Sequence, residues 1–133
     1  MQNSINDFLK YTESQKEASL IIAKDNEDFL DIINVLKNNN YQQVNDLLDL
    51  FDYITKPSKV FLTIEEDFSK ELYDFIIQYP TGQIQIYNNL RSQIITPIYN
   101  QVAVILVVKK EILQKAQASG LKILENIGLS YQN

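Results

Sequence analysis

Three consecutive acids, Glu65, Glu66 and Asp67, stand between the apolar run VFLTI and a helical pattern, and a second group, Asp25, Glu27 and Asp28, follows LIIA. Carboxylate oxygens suit a hard cation such as Mg²⁺, which takes one or two protein carboxylates plus water and phosphate. With Glu65, Asp67, Asp25 and Asp28 as metal ligands and Lys109 or Lys110 facing a phosphate, the chemistry would be phosphodiester cleavage or phosphoryl transfer. The chain has no His and no Cys, so imidazole acid–base chemistry, thiol nucleophiles, thiolate metal sites and disulfides are all excluded. Any catalysis would run on carboxylates, Lys, Arg, Tyr, Ser or Thr.

The same acids have a plainer use. Acidic residues in the first turn of a helix complement its partial positive charge, and Asp67 or Ser69 can cap its exposed N–H groups. Asp46, Asp49 and Asp52 fall off the apolar face of the pattern in YQQVNDLLDLFDYITKP and read as a solvated stripe. A Gly-rich phosphate loop, a GxSxG elbow, an HExxH pair, an EF-hand loop and a basic aromatic stripe are all missing.

The arrangement of strands and acids resembles the TOPRIM domain of topoisomerases, primases and related nucleases. In that family a strand ending in Glu is followed by a later strand ending in a DxD motif, and the acids hold Mg²⁺ for phosphodiester chemistry. Here LIIAKDNEDF puts Ala23 where that Glu belongs, and LTIEEDF offers Glu65 and Asp67 as an ExD variant. The similarity runs over residues 19–88 and leaves the C-terminal part of the chain outside it.

Apolar spacing supplies the elements that would position these groups. Ser4 can cap a short helix carrying Ile5, Phe8 and Leu9, and residues 1–16 read as a terminal arm of the kind that is often mobile. Leu20 to Ala23 could continue a helix or form a short buried strand, the strand being slightly favoured, and are followed by a helix capped at Asn26 with Phe29, Ile32, Ile33 and Leu36 on one face. Val44, Leu47, Leu48, Phe51 and Ile54 predict a helix that Pro57 closes. Lys59 to Ile64 then predict a strand, and Phe68, Leu72, Phe75, Ile76 and Tyr79 a helix. Ile84 and Ile86 alternate with Gln83, Gln85 and Tyr87, the period of a strand with one wet face. Asn88–Asn89 predict a hairpin turn, RSQIIT a return strand, and Gln101 to Val108 a third strand. Ile112, Leu113, Ala116, Leu121, Leu124 and Ile127 predict one long helix, with Gly120 as its weak point and Gly128 as its cap. Strand, polar turn and helix thus recur at 19–38, 59–79 and 101–127. The expectation is a single α+β domain over 1–133 with a helix-rich first half. Its four- to five-stranded mixed sheet would end in an antiparallel meander and be packed by amphipathic helices.

Composition narrows the function. The chain has 133 residues, 45% of them hydrophobic, which is enough for one ordinary core. Residues 1–79 carry 15 acids against 7 bases, whereas residues 80–133 carry 2 acids against 5 bases. Acidity on that scale works against binding a phosphate backbone, which draws its affinity from clustered Lys and Arg. VAVILVV is strand length, no apolar run reaches membrane-span length, and the opening lacks a secretory pattern, so a cytoplasmic protein is expected. The reading favoured is a non-catalytic protein-interaction or regulatory module without cofactor. It would dock a protein partner or a second copy through Phe8 or the edge formed by Ile84, Ile86 and Tyr87. The alternative is the Mg²⁺-dependent carboxylate enzyme.

Overall fold

A computed structural model of the chain describes residues 2–13, 19–46, 49, 58–66, 84–85, 94–95, 102–127 and 129–133. The described elements are α1 (Gln2–Thr12), β1 (Ser19–Ala23), α2 (Asn26–Asn38), β2 (Gln42–Val44), β3 (Ser58–Ile64), β4 (Ile84–Gln85), β5 (Ile94–Ile95), β6 (Val102–Lys109), α3 (Lys110–Ala118), α4 (Ile123–Asn126) and β7 (Leu129–Gln132). Five strands form one parallel sheet in the order β2-β3-β6-β1-β7. No helix among the described residues is long and apolar enough to cross a membrane.

This sheet overturns the expected mixed sheet with a C-terminal antiparallel meander. β4 and β5 do pair antiparallel, with Ile84 opposite Ile95, but they make a separate two-stranded ladder. The strand expected to complete the meander, β6, instead lies between β3 and β1 and parallel to both. The physical reason is in its composition. A meander strand with one wet face alternates, as residues 83–87 do, while an uninterrupted β-branched run needs cover on both faces. Val104 to Val108 are all buried, as are all five residues of β1.

The register divides the core in two. Ile21, Ala23, Phe61, Ile105 and Val107 share one face and pack with Ile5 and Leu9 of α1 and Phe29, Ile32 and Leu36 of α2. Leu20, Ile22, Val60, Leu62, Ile64, Val104, Leu106 and Val108 alternate with them and are buried on the other face, where α3 meets β1 and β6. From β1 the chain crosses β6 and β3 to reach β2, and from β6 it crosses β1 to reach β7. Right-handed crossovers that run in opposite directions lie on opposite faces of a sheet, so α2 and α3 cannot share one.

Two expected helices end differently. The helix read from Val44 onward begins with an edge strand, because Gln42–Val44 pair with Val60–Leu62; Leu47, Leu48, Phe51 and Ile54 lie outside the described residues. The single C-terminal helix is broken. Gly120 adopts a φ of 103°, a conformation that L side chains rarely take, and the chain then enters α4 and finally β7, which pairs with β1. The expected helix over 68–79 and the Gly128 cap lie outside the described residues.

The opposite end of the sheet is tied together by a small polar cluster. The buried Tyr41 hydroxyl donates to a Glu13 carboxylate oxygen at 3.0 Å, and Lys59 lies 3.5 Å from that oxygen and 5.0 Å from the centre of the Tyr41 ring. Burial, followed by the Glu13 charge and the hydrogen bond to it, holds the Tyr41 hydroxyl well above its ordinary value of 10.0, and Thr12 opposes this. Since the folded state retains this proton where the unfolded chain would lose it, the contribution is complete below about pH 10 and is lost as pH rises further. Tyr41→Phe should therefore flatten the loss of stability between about pH 10 and pH 12 in urea titrations; an unchanged alkaline slope would rule out this linkage. Phe61, fully buried between the α-helical layer and the sheet, should lose about 3–5 kcal/mol on truncation to Ala. Equilibrium unfolding by urea measures this, and a cost below about 1 kcal/mol would contradict its central position.

Candidate functional site: the carboxyl edge of the parallel sheet

In an open parallel sheet, ligands bind outside the carboxyl ends of the strands, where neighbouring strands send their connections in opposite directions. In this fold that position lies between β6 and β1. The residues that emerge there are Glu65 and Glu66 after β3, Lys109 and Lys110 at the end of β6, Lys24 and Asp25 after β1, and Asn133 after β7.

The turn after β1 is built around two aspartates. Asp25 is the N-cap of α2, its carboxylate accepting the Asp28 N–H at 2.8 Å. Asp28, only 6% exposed, accepts the Lys24 N–H at 2.9 Å through its other side, and its second oxygen accepts from the Asn133 side-chain amide. This is a variant of the capping box with Asp in both positions, the returning carboxylate taking the N–H of Lys24, one residue ahead of the cap: each carboxylate satisfies a backbone donor that the helix or turn leaves open. Glu27 adds a further acid to the first turn. The cap is thus Asp25, one residue ahead of the expected Asn26.

The same device closes the next strand. Asp46 accepts the Asp49 N–H at 2.8 Å, and Asp49 accepts the Asn45 N–H at 3.0 Å. These two acids were read as a solvated stripe. The signal that identifies them is the spacing itself: in DNED and DLLD alike, D-x-x-D begins two residues after the last residue of a strand.

The two acid groups proposed for metal share an edge but are separated by β6. Glu65 and Glu66 are exposed beyond β3, and strands β3 and β1 are two ladder spacings apart, or about 10 Å. Asp28 spends both oxygens on backbone and amide donors, Asp25 spends one on the Asp28 N–H, and Asp67 lies outside the described residues. Among the described residues no group of three acids converges on a metal position. Lys109 holds its amine over the Phe29 ring, 5.1 Å from the centroid, which places it on the α2 side.

The expected docking residues fare unequally. Phe8 is half-buried against the core, its ring 5.5 Å from that of Tyr131 at a tilt of 49°. Ile84 takes part in the β4–β5 pair, and Ile86 and Tyr87 lie outside the described residues. Tyr131, Asn133, Lys24 and Lys110 also belong to the edge, and of these the sequence singles out Lys110 alone, as a phosphate-facing residue.

Two concavities flank the edge. The larger, about 590 Å³, runs beside α2, with Ile5, Ile32, Val35 and Tyr131 as apolar lining and Asp25, Glu27, Asp28 and Asp31 against Lys24 as its charged groups. The smaller, about 330 Å³, lies on the α3 face. Desolvation, followed by the Asp28 charge, raises the Tyr131 hydroxyl above its usual value.

No family model matches the chain, and no curated protein matches it.

Replacing Asp28 with Asn keeps the shape but removes the charge from the α2 N-terminus. The expected cost is about 1–2 kcal/mol of stability, with the Tyr131 hydroxyl titrating at lower pH. Urea unfolding and the pH dependence of the Tyr131 ring carbon in NMR spectra measure both. No change in either would mean that Asp28 does not carry the turn.

Proposed function

We propose that this domain is a non-catalytic protein-interaction or regulatory module that receives a basic segment of a partner protein in the acidic cleft beside α2. The observation that carries the reading is the self-capped N-terminus of α2. At a crossover turn after β1, a parallel α/β sheet usually offers free N–H groups and a favourable dipole to a ligand phosphate. Here the Asp25 and Asp28 carboxylates take that place, so an incoming phosphate would meet two negative charges and compete for N–H groups already bonded. Adding the absence of His and Cys, the residues favour recognition over turnover.

The cleft suits a cationic side chain attached to an apolar stem. Its four acids against one lysine supply the charge, and Ile5, Ile32, Val35 and Tyr131 supply a surface on which the methylenes of Lys or Arg can lie. Leu30, 53% exposed between Glu27 and Asp31 on α2, extends the same mixture outward. Charge complementarity of this kind steers encounter and fixes partner choice, and it is screened by salt.

Amide NMR titrations with a Lys/Arg-rich nonapeptide and, separately, with Mg²⁺ test the reading. The peptide should shift Asp25 to Asp31 and Tyr131 saturably, and its affinity should fall at least tenfold at 1 M salt or in a Glu27→Lys, Asp31→Lys variant. Mg²⁺ should leave Asp25 to Asp28 and Glu65 to Glu66 without a localised response. Saturable Mg²⁺ shifts confined to those turns, or no response to the peptide, would overturn it.

A further inference from the structure

We infer that the α3 side of the same sheet edge holds a binding pocket for a small organic anion, a second site that shares Lys24 and Asn133 with the acidic cleft. The pocket, about 330 Å³, falls at the lower end of the range for ligand sites and has room for one ring or a short chain. It lies at the carboxyl ends of β1 and β6, adjacent strands whose connections run in opposite directions, the position at which open parallel sheets receive ligands.

Its chemistry differs from that of the cleft on the other face. Ile22, Leu113 and Leu124 form apolar walls, Lys24 and Lys110 supply two ammonium groups, and among the described residues no carboxylate lines it. Among the described residues, neither lysine has a carboxylate at ion-pair distance. Gln132 stands level with Ile22 in the sheet register and so shares its face. Gln114 adds another amide from α3, while Gln117 is already engaged, its side-chain oxygen accepting the Ile123 N–H at 2.7 Å. That bond holds the start of α4, and with it the Leu124 wall, against α3.

Two cations without an ion-pair partner among the described residues, set beside apolar walls and amides, select a negatively charged head on a compact apolar body. A neutral ligand would leave the ammonium groups without a counter-charge, and a large polyanion would find only two of them. The carboxylates that cap α2 line the other concavity, and Lys24 borders both. Leu124, 39% exposed, borders the mouth and is the residue a bound ring would cover.

Amide NMR titrations of the full chain with benzoate, phenyl phosphate and neutral benzamide decide the matter. Either anion should shift Ile22, Leu113, Leu124 and Gln132 saturably, with benzamide at least tenfold weaker. The anion that binds more tightly identifies the head group as carboxylate or phosphate. The Lys24→Gln, Lys110→Gln variant, altered only at exposed positions, should retain the wild-type spectrum and bind at least fivefold more weakly. Equal binding of benzamide, undiminished binding by the variant, or no saturable shift at these residues would overturn the proposal. None of these outcomes depends on the basic peptide or on Mg²⁺, so failure here leaves the reading of the cleft standing.

Discussion

Burial of β1 and β6 on both faces is the constraint from which the rest of the structure follows. A strand that is apolar on both sides cannot sit at an edge or over water, so Ser19–Ala23 and Val102–Lys109 take adjacent places inside the sheet. The connections leaving them run in opposite directions, the one from β1 crossing β6 and β3 to β2 and the one from β6 crossing β1 to β7. Helices then cover both faces, and the ends of β1 and β6 become the place where the two coverings part. Both concavities include residues from this edge for that reason. The position of a site is here a by-product of hydrophobic burial rather than of any catalytic motif.

Much of this was legible residue by residue, although not the topology. Leu20 to Ala23, the apolar run ending at Val108, and the face of α2 carrying Phe29, Ile32 and Leu36 all appear in the structure as strand, strand and helix. Their recurrence as strand, turn and helix already described parallel units. The hairpin spacing before residue 101 pointed to a meander instead, because closeness in sequence was weighed above the two-sided apolarity of β6. Two further elements were hidden by their composition. Gln42–Val44 has a single buried residue, too little to compete with the helical spacing that follows it. β7, LSYQ, has little apolar signal of its own and is placed by pairing with β1 and by Tyr131 against the core, and a positive φ at Gly120 ends the helical pattern before it.

The candidate site was legible in its members and not in their roles. Asp25, Asp28, Glu65 and Lys109 do gather at one edge of the sheet. Which of them can meet depends on strand order, and strand order is a long-range property that spacing along the chain does not contain. The interposition of β6 separates the acids after β3 from those after β1. Local hydrogen bonding decides the remainder, since an aspartate at a strand-to-helix turn has backbone donors within reach before any external ligand arrives. Lys109, expected to face a phosphate, is drawn instead over Phe29, an aromatic of the helix that its own neighbour strand leads into.

The paired D-x-x-D turns give this economy a structural meaning. At both β1 and β2 the chain leaves the strand, turns through one residue, and satisfies the open N–H groups with its own two carboxylates. A turn made with glycines would leave those donors for a phosphate and would be held fully in place only when one is bound. A turn made with aspartates is complete in the isolated domain, and it commits the α2 side of the edge to negative charge. Lys24 borders both concavities and Lys110 the α3 one, and among the described residues no carboxylate lines the pocket that they share. The acids of the edge thus concentrate beside α2, where each is either bonded to backbone or open to water.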